Sequence, residues 1–343
     1  MMPISLARRA RIAVAAAAIV LACLPTVATA SPPFSGLVIF GDSLSDPGNV
    51  AAVLTPPQLA AGAAQVITGN TYIPGLPYAS GQFSNGDVWA IGFAGMLSLT
   101  PAGNSYLSGG GNFAWGGART STNGATPSLL SQFGSYMTLT GNTASPTALY
   151  VVAGGGNDGR DAVQLAAANP AQTAAIIGAA ATLYATSTMS IVNGLRSAGA
   201  NNIIVWNTPN LGLAPAITAF GPQLAGLGTL VAGSMNAAMQ GALAPVSLAA
   251  PGVKLFDDFS LLSAAVANPA GYGLSNVTDA CGNPLAGCNL ATSLFWDGIH
   301  PTAAGHSLLS QQMFALAVPE PSAVLMMAAG VLLLIGLGRR RRA

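Results

Sequence analysis

Histidine is the scarcest chemically versatile residue in this sequence, which contains only His300 and His306 among its 343 residues. His300 follows Asp297 by three positions, with Gly298 between them. A carboxylate at this spacing can reach back to the imidazole and fix which ring nitrogen carries the proton. An imidazole held in this way is suited to general base catalysis near neutral pH. Alternatively, Asp297 and His300 form a pair that only stabilises the start of a helix. The second histidine, His306, is interpreted as structural.

Ser43 is the second candidate, because it follows a short apolar run, residues 37–40, and a turn-forming glycine. Open α/β sheets present reactive groups in this way at the carboxyl ends of their strands. Most serines in turns have no catalytic role, and Ser43 alone is also consistent with that interpretation. The nearby Asp42 and Asp46 are expected to shape the turn. Together with the aspartate–histidine pair, however, the serine indicates nucleophilic acyl transfer, since a base that removes its proton makes it a nucleophile.

Acyl transfer also needs hydrogen-bond donors for the oxyanion that develops on the substrate. Two glycine-rich turns can supply them. The first contains Gly116 and Gly117, where a substrate can approach the backbone N–H closely. The second follows an apolar run and offers the side-chain amide of Asn157. Each stretch is also consistent with an ordinary turn after a strand.

Charged residues near these turns are interpreted as structural. Arg119 and Arg160 each follow one of the two turns. We expect them to pair with Asp158 or Asp161, with an anionic group of a substrate as the alternative partner.

Four sequence blocks occur in the order and with the spacing of the GDSL, or SGNH, hydrolase family. They are Gly41-Asp42-Ser43-Leu44, the Gly116-Gly117 turn, Gly156-Asn157-Asp158 and Asp297-x-x-His300. The chain resembles that family over residues 35–317. The resemblance implies a flavodoxin-like α/β fold, a three-layer α/β/α sandwich around a parallel five-stranded sheet. The α/β-hydrolase fold is excluded, because no Gly-x-Ser-x-Gly elbow is present.

By this resemblance the protein is expected to hydrolyse carboxylic esters through an acyl-enzyme, without a metal or cofactor. Ser43 is the expected nucleophile, and His300, oriented by Asp297, is its base. The expected oxyanion donors are the backbone N–H groups of Ser43 and Gly117, with Gly116 as the alternative glycine, and the amide of Asn157. The substrate stays open among acyl esters, lipids and acylated polysaccharides. A non-catalytic surface or matrix protein on the same scaffold is the alternative from a different class.

The hydrophobic pattern of the body agrees with this fold. Apolar strand-like runs alternate with longer helical stretches, which predicts right-handed crossovers and a mostly parallel sheet. Residues 56–112 are rich in Gly, Pro, Ser and Asn and predict an extended loop region with one short helix. Long irregular loops of this kind tend to be functional or disordered. The predicted strands are 37–40, 148–153, 202–206 and 253–256, and the predicted helices are 88–97, 171–198, 223–243 and 302–316.

The ends of the chain predict export. Residues 1–30 have the basic start, apolar run and small-residue cleavage site of a secretory signal peptide. The domain body is expected at 31–317. Residues 318–343 contain Pro319-Glu320-Pro321, an uncharged span and four arginines, and such a span is at the short end of a transmembrane helix. This tail resembles the PEP-CTERM sorting signal. The resemblance implies that the tail spans the membrane before an exosortase-type sorting protease cuts it, and that the body is then secreted or attached at the envelope or outer surface of a Gram-negative bacterium.

The charge and cysteine content of the sequence limit what the protein is expected to bind. Only 6% of the residues are charged, and the body outside the two ends carries four cations, so nucleic acid is excluded as a partner. The body contains one pair of cysteines, Cys281 and Cys288. An even pair in an exported chain predicts a disulfide. Metal binding, the alternative, would need further ligands, and no histidine lies between the two.

Overall fold

The computed structural model describes residues 33–318 and the single position 330. The predicted signal peptide and nearly all of the predicted sorting tail lie outside the described residues. The four strands of the described part are β1 Leu37–Gly41, β2 Leu149–Ala153, β3 Asn202–Trp206 and β4 Val253–Phe256. Its α-helices are α1 Asn49–Val53, α2 Pro56–Ala63, α3 Trp89–Met96, α4 Leu129–Leu139, α5 Gly156–Ala168, α6 Thr173–Ser197, α7 Pro215–Thr218, α8 Pro222–Ala249, α9 Asp258–Ala267 and α10 Ala303–Ala317.

The four strands form one parallel sheet in the order β1-β2-β3-β4. The family resemblance implied five strands, and the missing place beside β1 is taken by the short segment 111–115. This segment runs parallel to β1, with Ile39 N donating to Gly111 O at 3.0 Å and Phe113 N donating to Ile39 O at 2.8 Å. It forms only an isolated bridge. Trp115 N still donates to Gly41 O at 3.1 Å, but Gly41 N donates to the Gln132 side chain instead of to this segment, so the ladder does not continue.

Alternate residues of each strand face opposite layers of helices. On one face Ile39, Val151 and Trp206 pack against apolar residues of α3 and α10. On the other face Phe40 and Val152 join a larger cluster that includes residues of α4, α5, α6 and α8. Strands buried on both faces explain the nearly continuous apolar runs in the sequence. The expected three-layer α/β/α sandwich is therefore confirmed.

Several element boundaries differ from the predicted ones. Helix α8 runs unbroken through residues 223–243 and on to Ala249, although four glycines in it weaken the helical pattern. Its buried face, which includes Val231, Met235 and Met239, packs in the core, and this packing outweighs the low intrinsic propensity of glycine. Helices α1, α2, α4, α5, α7 and α9 were not predicted. Of these, α1 and α7 have only five and four residues, too few to show a helical period.

Candidate active site

Three polar side chains predicted from the sequence meet at the carboxyl edge of the sheet. The Nε2 atom of His300 lies 2.8 Å from Ser43 Oγ, and its Nδ1 atom lies 2.6 Å from Asp297 Oδ2. All three residues are buried, with Asp297 fully inaccessible to solvent. In a buried site these hydrogen bonds are electrostatically strengthened. The geometry is that of a hydroxyl, a base and a carboxylate that orients the base.

Strand β1 and its turn place the serine. Gln132, on α4, brackets the last residue of the strand, accepting from Gly41 N and donating to Gly41 O, each at 2.8 Å. The chain then turns, and Asp42 accepts a hydrogen bond from Leu44 N at 3.0 Å. Ser43 is thereby presented at the end of the strand, as the sequence pattern predicted.

A short loop before α10 places the histidine. Asp297 Oδ1 accepts hydrogen bonds from the backbone N–H groups of Ile299 and His300, at 2.8 and 2.7 Å. Thr302 caps α10 by accepting from Gly305 N through its hydroxyl. One carboxylate therefore both folds the loop and orients the imidazole. His306 lies on the buried face of α10, and burial together with the nearby His300 lowers its pKa to about 3, so it is neutral at physiological pH.

The two candidate glycines of the oxyanion turn have different environments. Gly116 N donates to Asp46 Oδ2 at 2.8 Å, so this N–H already has a partner. A Cβ on Gly116 would lie 2.2 Å from the ring of Phe83, which itself packs beside His300. Gly117 has φ of +77°, a conformation that favours glycine, and its N–H meets no acceptor among the described residues. These contacts favour Gly117 over Gly116 as a free donor.

The Asn157 side chain is held at the start of α5. Its Nδ2 donates to Ala118 O at 2.9 Å, which leaves the second amide hydrogen for another acceptor. Asn157 lines the same cavity as Ser43 and His300. The Ser43 N–H likewise has no acceptor in the described part of the chain.

A cavity of about 100 Å³ opens beside these polar groups. Most of its wall is apolar, formed by residues of the loop before α7, of α9 and of the segment 294–309. The apolar lining residues include Leu211, Leu261, Leu262, Ala265, Leu294, Phe295, Leu308 and Leu309. Such a wall suits an aliphatic group placed next to the Ser43 hydroxyl.

Two buried carboxyls line the same cavity. Burial raises the pKa of Asp42 to about 6, against the opposing effect of the Leu44 N–H. Burial, and then the charge of Asp42, raises the pKa of Asp258 to about 7. Both carboxyls are therefore partly protonated within the neutral pH range.

The expected pairing of the arginines is confirmed for Arg119 and wrong for Arg160. Arg119 contacts Asp161 with Nε at 2.5 Å and a second nitrogen at 3.1 Å. Asp158 pairs with neither arginine and accepts hydrogen bonds from the backbone N–H and the hydroxyl of Thr120. Arg160 lines the cavity, makes no ion pair with another described residue, and its burial lowers its pKa. The reason is geometric, because Arg119 already occupies the carboxylate of Asp161.

The cysteine pair lies in the segment of chain that precedes Asp297. Cys281 and Cys288 are joined by a disulfide of 2.07 Å. Within the same segment, the N–H groups of Cys281 and Gly282 donate to Phe295 O and Trp296 O. The cross-linked loop thus buttresses the residues that precede Asp297. In the range 33–318 no three His, Cys, Asp or Glu side chains cluster in a way that would hold a metal ion.

The sequence did not predict the contacts that two aromatic residues make with the site. Tyr78 donates a hydrogen bond to Asp297 Oδ2 at 2.8 Å, and the Phe83 ring lies 5.3 Å from the imidazole of His300. Both belong to the irregular region 56–112. No local pattern predicts their positions, because each meets its partner more than two hundred residues away in the sequence.

A parallel sheet between two helix layers, with serine, histidine and aspartate joined at its carboxyl edge, is the arrangement of a serine hydrolase. The sequence model described as "GDSL-like Lipase/Acylhydrolase" matches residues 37–313. The chain belongs to this family.

Two curated relatives are similar in sequence to this chain. Esterase EstA of Pseudomonas aeruginosa is 31% identical over an alignment of 339 positions, and the match covers 88% of this chain and 49% of the relative. Esterase EstA of Pseudomonas putida gives the same values. The chain therefore spans about half the length of the curated relatives it matches. Among solved structures, phospholipase A1 from Streptomyces albidoflavus matches 81% of this chain and 99% of its own, with 18% identity and a TM-score of 0.38.

Proposed function

We propose that this protein is an exported serine esterase or lipase that hydrolyses carboxylic esters through an acyl-enzyme. One observation carries the proposal, namely the continuous contact from Ser43 Oγ through His300 to Asp297, at 2.8 and 2.6 Å. Family membership supports an ester as the substrate.

In the proposed reaction, Ser43 Oγ attacks the carbonyl carbon of the ester while His300 Nε2 takes its proton. The carbonyl oxygen becomes an oxyanion, for which the N–H groups of Ser43 and Gly117 and the amide of Asn157 are the proposed donors. The carbon–oxygen bond then breaks, and His300 returns the proton to the leaving alcohol. Water repeats the sequence on the acyl-enzyme, releasing the carboxylic acid and restoring Ser43.

In the proposed reaction Asp297 orients His300 and does not take its proton. Its carboxylate keeps the Nδ1–H of the imidazole facing away from the serine, so Nε2 is the nitrogen that accepts the proton. It also stabilises the positive charge that His300 acquires during each step.

The apolar cavity favours an acyl chain longer than acetyl. An aliphatic chain that leaves water for this cavity gains about 0.8 kcal/mol for each buried CH₂ group. An acetyl group would leave most of the apolar wall in contact with water. The cavity therefore favours acyl esters and lipids over an acetylated polysaccharide, the second substrate considered within the same class.

Export and surface display complete the proposal. The signal-peptide pattern of residues 1–30 supports export, and the Pro-Glu-Pro tail at 318–343 supports processing by an exosortase-type protease at the envelope of a Gram-negative bacterium. Both segments fall outside the described residues, so the sequence alone supports this part.

The test compares the purified full-length protein with Ser43→Ala on p-nitrophenyl esters from acetate to laurate. We expect turnover to fall by roughly 10⁴-fold or more in the variant, because the nucleophile is lost. The chain-length profile of the wild type should peak above acetate. Equal rates for both proteins would overturn the proposal and favour a non-catalytic surface protein. A profile confined to acetate would favour a polysaccharide O-acetyl esterase.

A further inference from the structure

The hydroxyl of Tyr78 contacts the carboxylate that orients the histidine. Its OH donates a hydrogen bond to Asp297 Oδ2 at 2.8 Å. The same oxygen accepts the Nδ1–H of His300 at 2.6 Å. One carboxylate oxygen thus serves two donors, one on the imidazole and one on a residue 219 positions away in the chain.

Every acceptor position of this carboxylate is used. Oδ1 accepts the backbone N–H groups of Ile299 and His300, and Oδ2 accepts the imidazole and the Tyr78 hydroxyl. Three of the four donors belong to the loop that contains Asp297 itself. Among the described residues, Tyr78 is the one donor that ties the carboxylate to another part of the fold, and it so restricts rotation of the Oδ2 atom.

Tyr78 is itself held in place. Its side chain is 6% exposed and packs edge-on against Trp296, with ring centroids 5.7 Å apart. A turn fixes its backbone, because Tyr78 N donates to Gln82 O and Gly81 N donates to Tyr78 O. Burial, followed by the charge of Asp297, raises the pKa of Tyr78 far above neutrality. The hydroxyl therefore keeps its proton and remains a donor to Asp297.

We propose that Tyr78 is a positioning residue for the hydrolytic reaction, one that holds Asp297 against His300 Nδ1 and takes up part of the carboxylate charge. This proposal rests on the function proposed above. Tyr78 does not line the cavity beside Ser43, so it acts on the reaction only through Asp297.

The consequence of losing this hydroxyl follows from charge sharing. With Tyr78 present, the negative charge on Oδ2 is divided between two donors. With the hydroxyl removed, more of that charge acts on the imidazole and favours its protonated form. Protonated His300 cannot accept the serine proton. As the pH is lowered, activity should therefore begin to fall at a higher pH in the variant than in the wild type. The carboxylate also gains freedom to rotate, which slows the chemical step.

A substitution of Tyr78 leaves every other charged or titratable side chain near His300 in place. They are Asp297 in its own loop, Asp42 beside the serine, Arg160 on α5, Asp258 on α9, His306 on α10 and Tyr72 in the loop that contains Tyr78. A shift of the pH profile in such a variant therefore reports the missing hydroxyl.

The test compares Tyr78→Phe with Tyr72→Phe in the full-length protein. Tyr72 is a matched control, because its hydroxyl donates to Gln65 Oε1 at 2.6 Å instead of to the carboxylate. For Tyr78→Phe we expect kcat on p-nitrophenyl butyrate to fall roughly tenfold with KM nearly unchanged. The acidic limb of kcat/KM should move to higher pH by about half a unit. Tyr72→Phe should leave kcat and the pH profile unchanged.

Two further measurements separate positioning from a general loss of structure. Thermal unfolding shows whether Tyr78→Phe still folds. The proton NMR signal of the His300 Nδ1–H, far downfield in a short hydrogen bond to a carboxylate, should shift in Tyr78→Phe and stay unchanged in Tyr72→Phe. An unchanged signal together with an unchanged acidic limb would overturn the role of Tyr78. A wild type without Ser43-dependent turnover would instead overturn the proposed function, while the NMR signal would still decide whether Tyr78 acts on the histidine–aspartate pair.

Discussion

Asp46 accepts a hydrogen bond from the Gly116 N–H through its Oδ2 atom at 2.8 Å, across 70 positions of sequence. The same carboxylate accepts the N–H groups of Gly48 and Asn49 at 2.8 and 2.6 Å. Asp46 therefore ties the loop after the serine to the turn that contains Gly117. The relationship explains why one of two adjacent glycines is free to face a substrate and the other is not.

Replacing Asp46 with Asn should loosen this turn. A carboxamide can accept with only one of its two terminal atoms, so its NH₂ group would face at least one of these backbone donors. We expect kcat to fall roughly tenfold with little change in KM, because the N–H of Gly117, a proposed donor to the oxyanion, moves out of place. Unfolding temperature should fall as well, since a buried donor is left unpaired.

Asp161→Asn is the control for this variant. It removes the partly exposed ion pair with Arg119, which should contribute less than about 1 kcal/mol to stability. A wild-type kcat in Asp46→Asn would contradict the link between this carboxylate and the oxyanion turn.

Replacing Asn157 with Ala should remove a proposed oxyanion donor. We expect kcat to fall by about 10²–10³-fold with a much smaller change in KM, because the donor acts mainly in the transition state. Steady-state kinetics on p-nitrophenyl butyrate measures both values. Asn169→Ala is the control at the other end of α5, where the side chain donates only to Leu165 O on the surface. Similar kinetics in the two variants would remove Asn157 from the proposed oxyanion hole.

The wall of the cavity should set the preference for acyl-chain length. Ala265, on α9, is 1% exposed and lines the cavity, so Ala265→Leu should lower kcat/KM for long esters more than for acetate. Leu308→Ala enlarges the same cavity and should shift the preference towards longer chains. Ala264→Leu, next to Ala265 but outside the cavity wall, is the control. Parallel profiles for all four proteins would place the acyl chain elsewhere.

Asp258 should make the protein less stable as the pH rises. Its pKa is about 7 in the folded chain and about 3.8 when unfolded, so the native state binds this proton more tightly. Stability attributable to the group is therefore present below about pH 4 and is lost as pH rises to about 7, by an amount on the order of 4 kcal/mol. Asp258→Asn should reduce the fall in unfolding temperature between pH 5 and pH 8; the remaining fall includes the contribution of Asp42, whose pKa is also raised.

The neighbouring Asp257→Asn variant is the control. Asp257 caps α9 by accepting from Ser260 N at 3.0 Å, and its hydrogen bonds lower its pKa. This variant should be less stable at both pH values while keeping most of the wild-type fall between them, because the charge of Asp257 is the smallest of the three causes that raise the pKa of Asp258. An equal fall in Asp258→Asn and the wild type would show that burial of Asp258 does not control the pH dependence.

The sequence by itself determined the parts of this protein that depend on local pattern. Strand β3 was predicted with its observed bounds, because a short apolar run between turn residues is a local signal of a buried strand. The pairing of Asp297 with His300 was predicted for a similar reason, since three residues in one loop suffice to bring the two side chains together.

Only the tertiary structure decided the contacts made between distant segments. It joined Tyr78 to Asp297, left Arg160 without the expected partner, and gave Gly116 and Gly117 different environments through Asp46. It also assembled the apolar cavity from three stretches of chain that share no motif. The physical reason is that such contacts depend on how helices and loops pack on the sheet, and a hydrophobic pattern specifies which face of an element is buried but not which neighbour it will meet.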